Sequence, residues 1–256
     1  MTSTVLLALD TSTEYCSVAL ISSEAPSTAS ASSQPAPARV WTRHESTGPV
    51  SSTRVLPAVR EVFDEAGLAL DACRAVAFGA GPGSFTGLRT ATGVAQGLAF
   101  GLDVPVVPIG TLLVCAESAR RRDPSISRVL AVLDARMDEV YWADYAWDAA
   151  AGEWRTVVPP SLGAPDALIA PDTPFALAGN AADAFGARLT VAERASVVDR
   201  AALPHAQPLA FAALRAYWAG RTVAAEHAAP EYVRDKVAQT TAERLAARSA
   251  GGGREA

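Results

Sequence analysis

The chain has 256 residues, half of them hydrophobic, and a formal net charge of −5. That is enough apolar material for one large domain or two small ones. The acidic balance argues against a chain that grips nucleic acid unaided, because phosphate contacts need a basic field. Cys16, Cys73 and Cys115 are too few and too far apart for a disulfide framework or a CxxC metal knuckle, and they fit a reduced, cytoplasmic setting. His44, His205 and His227 include no pair at metal-ligand spacing. The apolar start Val5–Leu9 lacks the basic flank and length of a signal peptide. The best membrane-span candidate is broken by Asp103, Pro105 and Pro108, so no membrane partner is expected.

In chain order, strand patterns cover Val5–Asp10, Tyr15–Ser22 and Arg39–His44. The segment 23–38 between the last two is almost wholly Ser, Ala, Pro, Thr and Gln, which cannot bury apolar surface, so a disordered hairpin insertion is predicted there. Helical spacing follows at Val55, Leu56, Val59, Val62, Phe63 and Ala66, with Gly67 as its stop and Pro57 expected to tighten or kink the first turn. Then come a strand over 74–78, the glycine-rich turn Gly81–Ser84, a helix over 84–101, a strand over 104–109 and a helix from Thr111.

A repeat appears next. Val5–Asp10 (VLLALD) recurs as Val129–Asp134 (VLAVLD), 124 residues later, and each copy is followed by a second strand, Tyr15–Ser22 or Val140–Trp147. The duplication predicts two homologous α/β domains. The first is expected to hold 1–110 plus 206–240, regained by a helix over 207–218. The second is expected over 111–205, with 241–256 a flexible tail.

Asp10, Thr11 and Ser12 at a strand end have two readings, a phosphate or magnesium loop or a turn-capping aspartate. Asp134 repeats the position, which points to an ancestral loop without showing present use. In the turn Gly81–Ser84, Gly81 and Gly83 supply conformational freedom and Ser84 a helix cap. The spacing matches neither GxxxxGKS nor GxGxxG and no lysine follows, so at most a vestigial phosphate cradle is predicted.

On the helix 84–101, Phe85, Leu88, Ala91, Val94, Ala95, Leu98 and Ala99 form one apolar arc suited to the domain's own sheet. The opposite face carries Thr86, Thr90, Gly93, Gly97 and Gly101, with Phe100 beside them. A solvated helix back should carry charge, and each interior glycine costs roughly 1 kcal/mol against alanine. That face is built for close approach, by a partner or by another part of the same chain. Asp134, Asp138 and Glu139 read as solvated strand-edge charges, and no hydrolase motif with an attendant histidine is present.

Leu9–Thr13 (LDTST), Gly81–Arg89 (GPGSFTGLR), Leu133–Arg136 with Glu139–Tyr141, and Pro230–Asp235 (PEYVRD) occur together and in order. The combination resembles the bacterial TsaB (YeaZ) family, over about 4–240. The resemblance implies an α/β fold of two tandem actin-like (ASKHA, RNase H-like) domains with mixed sheets flanked by helices. It implies a scaffold or activator subunit in making N6-threonylcarbamoyladenosine at position 37 of ANN-reading tRNAs. Its partners would be a TsaD-type catalytic paralogue and a TsaE-type ATPase, with tRNA reached only through the complex and a homodimer formed when alone. TsaD-like proteins hold a metal through paired histidines where this chain reads Ser51–Pro57, without histidine, so no catalytic residue and no metal is expected. No cofactor of its own is expected either; weak nucleotide binding, or ATP or ADP at an interface with partners, stays open. Partner contacts are expected from Val55, Val59 and Val62 and from Thr86, Thr90, Gly93, Gly97, Phe100 and Gly101. The rival reading is an autonomous actin-fold enzyme, an ATP-dependent kinase or a glycoprotease-like peptidase.

Overall fold

The computed structural model describes residues 3–24 and 38–234. Nearly all of the predicted 23–38 insertion, and the whole predicted tail 241–256, lie outside the described residues.

Strands β1 (Ser3–Asp10) and β2 (Tyr15–Glu24) form an antiparallel hairpin with Leu7 opposite Leu20, and β3 (Arg39–Ser46) pairs with β2. The apolar run of β1 is unbroken because both of its faces are covered. Val5, Leu7 and Leu9 enter one core, and Leu6 and Ala8 enter another. Helix α1 (Ser51–Ala66) packs on the first of these faces and ends at Gly67, whose φ of 66° is left-handed. It starts earlier than the apolar spacing indicates, so Pro57 falls in its second turn and the helix runs through it. Strands β4 (Cys73–Gly81) and β5 (Val106–Gly110) are parallel and extend the sheet beyond β1, with helix α2 (Phe85–Leu102) between them on the α1 side.

The second half contains α3 (Thr111–Arg122), β6 (Arg128–Arg136), β7 (Glu139–Asp148), β8 (Glu153–Gly163), β9 (Ala176–Ala178), α4 (Ala181–Phe185) and β10 (Val197–Asp199). Helix α5 (Ala206–Trp218) then covers the remaining face of the first sheet through Leu209, Ala210 and Ala213. The sheet orders are β3-β2-β1-β4-β5 and β8-β7-β6-β9-β10. Each has a central strand paired antiparallel to its hairpin mate and parallel to the fourth strand. The six-residue repeat in the sequence thus marks a duplication of the whole sheet topology. Helix α3 serves both halves, with Val114 in the core under α5 and Leu112, Cys115 and Ala119 in the core of the second sheet. All three cysteines are free and buried, and burial pushes the Cys16 thiol up to about 11.

Candidate functional sites: two loops, a cleft and one helix face

The two strand-end aspartates cap the same kind of turn. Asp10 Oδ1 accepts from the Ser12 N–H at 3.0 Å and from the Ser12 hydroxyl at 2.8 Å, and Asp134 Oδ1 accepts from the Arg136 N–H at 2.8 Å. Their surroundings then diverge. Asp10 is 1% exposed, and its Oδ2 has no hydrogen-bond partner and lies against Gly79, where any Cβ would collide with it. Asp134 is half-buried and shares an ion pair with the exposed Arg136 at 3.3 Å.

The glycine turn lies tightly on the Asp10 loop. The Ser84 N–H donates to the Ser12 carbonyl at 2.8 Å, and the Thr11 hydroxyl donates to the Gly87 carbonyl at 2.6 Å. A Cβ on Gly83 would sit 2.8 Å from the Ser12 carbonyl oxygen, and one on Gly87 would run into the Thr11 carbonyl. Ser84 caps α2 by accepting from the Gly87 N–H at 3.4 Å. Amides that open a helix elsewhere to an anion are here turned onto the chain's own carbonyl and hydroxyl. Beside this pair of loops runs a cleft of about 520 Å³ between the halves, lined by Ser12, Thr13, Gly83, Ser84, Thr86, Asp134, Arg136 and Asn180. Among the described residues no three His, Cys, Asp or Glu side chains converge as a metal site.

Burial raises the Asp10 carboxyl from 3.8 to about 6, against the two hydrogen bonds from Ser12. A folded value above the unfolded one means that this group's stabilisation is full below pH 3.8 and is lost as pH rises through about 6. The difference corresponds to about 3 kcal/mol. His205 works in the opposite sense, because burial, aided by the charges of His44 and Arg122, lowers it from 6.5 to about 4. Its contribution is full above pH 6.5 and is lost as pH falls through about 4. Asp10→Asn isolates the first effect, since His205 is common to both proteins. In urea unfolding, the stability gap is expected to shift toward the Asn variant by about 3 kcal/mol between pH about 4 and about 8. A gap that does not change with pH would contradict the buried, ionising carboxylate.

The C-terminal segment crosses this region. The Glu231 N–H donates to the Ala80 carbonyl at 2.7 Å, and Gly81, with φ 131°, leaves room for the Glu231 carbonyl. Tyr232 stacks on Phe85 at 5.5 Å and its hydroxyl accepts from Arg89 at 3.1 Å. Phe85 therefore leaves the apolar arc assigned to it and stays 36% exposed, held between Tyr232 and Arg89. Arg234 donates to the Ala135 and Arg136 carbonyls at 3.1 and 3.3 Å and pairs with Glu139 at 2.8 Å. Those bonds support a hairpin turn whose Arg136, Met137 and Asp138 all have positive φ, a conformation costing about 1–2 kcal/mol per residue. Pro230–Arg234 thus links the glycine turn of one half to the Asp134 turn of the other. The carboxylates of Asp138 and Glu139, read from sequence as solvated, stay 68% and 38% exposed and pair at the surface with Arg188 and Arg234.

The glycine face of α2 is open. A Cβ added at Gly93, Gly97 or Gly101 would meet nothing within 4 Å, and Phe100 is 80% exposed. Thr86 is exposed and Thr90 half-buried, its hydroxyl bound to the Thr86 carbonyl at 3.0 Å. The C-terminal segment does touch α2, but on a different side, through Gln96 to the Ala228 carbonyl at 2.9 Å. The assignment of Val55, Val59 and Val62 to a partner surface is corrected: they are 0%, 3% and 0% exposed and packed in the core beneath α1. The sheet takes most of the apolar arc of α1, and Leu56, counted in that arc, stays 53% exposed.

Two sheets of one topology, each flanked by helices and facing a shared cleft, define a tandem actin-like α/β protein. Residues 47–242 match the family model of TsaD, tRNA N6-adenosine threonylcarbamoyltransferase. The chain is 35% identical to the tRNA threonylcarbamoyladenosine biosynthesis protein TsaB of Escherichia coli (strain K12), over 91% of this chain and 96% of that protein. It is 38% identical to the Haemophilus influenzae protein of the same name, over 66% and 68%. The solved structure of YeaZ from Pseudomonas aeruginosa superposes with a TM-score of 0.74 at 39% identity, over 90% of this chain and 99% of that one. The chain belongs to the TsaB (YeaZ) family of tRNA threonylcarbamoyladenosine biosynthesis proteins.

Proposed function

We propose that the chain is a non-catalytic scaffold and activator subunit of the threonylcarbamoyl transferase complex that forms N6-threonylcarbamoyladenosine at position 37 of ANN-reading tRNAs. The observation that carries this reading is the α2 face of Thr86, Thr90, Gly93, Gly97 and Gly101, which is uncharged and has free space over all three glycines. Two interior glycines, Gly93 and Gly97, together cost a lone helix about 2 kcal/mol against alanine, a cost that close approach by a second helix would offset. A TsaD-type catalytic paralogue is the partner assigned to this face, together with the exposed Phe100. In its absence a second copy of the chain takes the same place.

The loops support a supporting role over autonomous kinase or peptidase chemistry. Ser84, Gly87 and the Oδ1 of Asp10 are bound to Ser12 and to one another, and among the described residues no lysine or histidine joins them. The chain has no cofactor of its own in this reading, and any ATP or ADP belongs to the interface with its partners, among them a TsaE-type ATPase. tRNA is engaged by the assembly. The setting is the cytoplasm; no helix among the described residues is long and apolar enough to cross a membrane. Calorimetric titration with the catalytic paralogue tests the proposal, using Gly97→Leu as the discriminating variant.

A further inference from the structure

Two halves that face each other across a cleft move relative to one another unless something ties them. Helix α3 ties them through their cores, and Arg221 pairs across with Glu153 at 2.7 Å. The strap Pro230–Arg234 ties them again at the cleft itself. Glu231, Tyr232, Val233 and Arg234 close over a small space whose other walls include Pro82 and Gly83 of the first half and Tyr141 of the second, and those three also line the cleft. The strap therefore forms one edge of the cleft.

Its two ends are held differently. On the first half the hold is backbone and ring: the Glu231 N–H on the Ala80 carbonyl, the Glu231 carbonyl over Gly81, and Tyr232 on Phe85. On the second half, among the described residues, every hydrogen bond and ion pair of the strap comes from Arg234. Its guanidinium reaches the Ala135 and Arg136 carbonyls, the Met137 sulfur at 2.7 Å and the Glu139 carboxylate. The side chain is 11% exposed, and its Nε is buried without a partner. A buried donor left unpaired is costly, so these contacts hold the guanidinium in place against that cost. The turn that it grips has three successive non-glycine residues at positive φ, a conformation that persists only where its surroundings over-determine it. The other charges of the turn have partners of their own, Asp134 with Arg136 and Asp138 with Arg188.

We propose that Pro230–Arg234 is a clasp that holds the cleft at a single width, and that Arg234 is the residue that closes it. Without Arg234 the cleft is free to widen about α3. The device belongs to the free chain and does not depend on the proposed role in a complex.

Distances between paired spin labels test it. Glu14→Cys and Ala184→Cys put labels at exposed positions of the first and second halves, and the native cysteines are buried. Glu14 itself lines the cleft, and Ala184 lies one helical turn from the lining residue Asn180. With Arg234 present, one narrow distance distribution is expected. Arg234→Ala is expected to broaden it and shift it to longer distance. Arg234→Lys keeps a charge for Glu139 but loses the fork that spans the turn carbonyls, and is expected to give a smaller shift in the same direction. A control pair within the first half, Glu14→Cys with Arg74→Cys, is expected to stay unchanged. Superimposable distributions across the cleft would overturn the proposal, as would a broad one with Arg234 present. Broadening of the control pair would overturn it too, because the variant would then have loosened the first half itself. Thermal melting checks the fold, and if Arg234→Ala does not fold, Arg234→Lys is read by the same criteria.

Discussion

Replacing Gly87 by alanine is expected to lower the melting temperature by about 10 °C. Gly87 lies in the first turn of α2, buried beneath the Asp10 loop, and its missing side chain is where the Thr11 carbonyl passes. The obstacle is backbone, so no rotamer change relieves it. The Thr11 hydroxyl is bonded to the Gly87 carbonyl and the Ser12 carbonyl to the Ser84 N–H, so loop and helix must separate together. Overpacking of this kind costs about 3 kcal/mol or more, and each kcal/mol moves the midpoint of a chain of this size by about 2–4 °C. Circular dichroism melting reads the effect. A shift under about 2 °C would mean that the two loops are not packed as described.

Gly97→Leu, ten residues along the same helix, is expected to do the reverse to the free protein. Nothing lies within 4 Å of a Cβ there, and leucine removes a helix-interior glycine worth about 0.5–1 kcal/mol. The melting temperature should hold or rise by a few degrees. Binding to the catalytic paralogue should fall at least about 100-fold, because added bulk keeps two helices from the close approach that the glycines permit. Adding volume should be worse than removing it, so truncating Phe100 to alanine is the milder change. A folded Gly97→Leu protein with unaltered binding would move the interface elsewhere. An unfolded one would contradict the open space over the glycine.

Most of the sheet architecture could be read from the sequence, because buried central strands write themselves as unbroken apolar runs and the second copy of β1 repeats the first almost letter for letter. β8 could not be read in this way, since Pro159 and Pro160 interrupt its strand pattern, and neither could β9 and β10, as three residues carry no period. On α2 the wheel separated the glycine face from the packed one correctly, since packing there follows helical phase. Phe85 escaped it, because phase says nothing of Tyr232, which stacks on it from far along the chain. On α1 the same reasoning misplaced Val55, Val59 and Val62. An apolar arc shows what is buried, not whether a sheet or a partner buries it. How the two loops lie on each other is tertiary detail that no local pattern carries, namely that Ser12 turns its carbonyl toward the Ser84 N–H. The crossing of Pro230–Arg234 over the glycine turn was invisible as geometry, since those residues have no regular element. The buried Glu117 accepts from Trp154 Nε1 and from Arg215, 37 and 98 residues away in the chain, and no local pattern announces those bonds.

The central claim is that this chain works through the α2 face and not through its cleft. Hydrogen exchange of the chain, alone and saturated with its catalytic paralogue, tests it most directly. The account expects new protection along residues 90–101 of α2, with the buried amides of β1 and β4 unchanged. Protection confined to the cleft around Ser12, Asp134 and Arg136, with α2 exchanging as in the free chain, would contradict it.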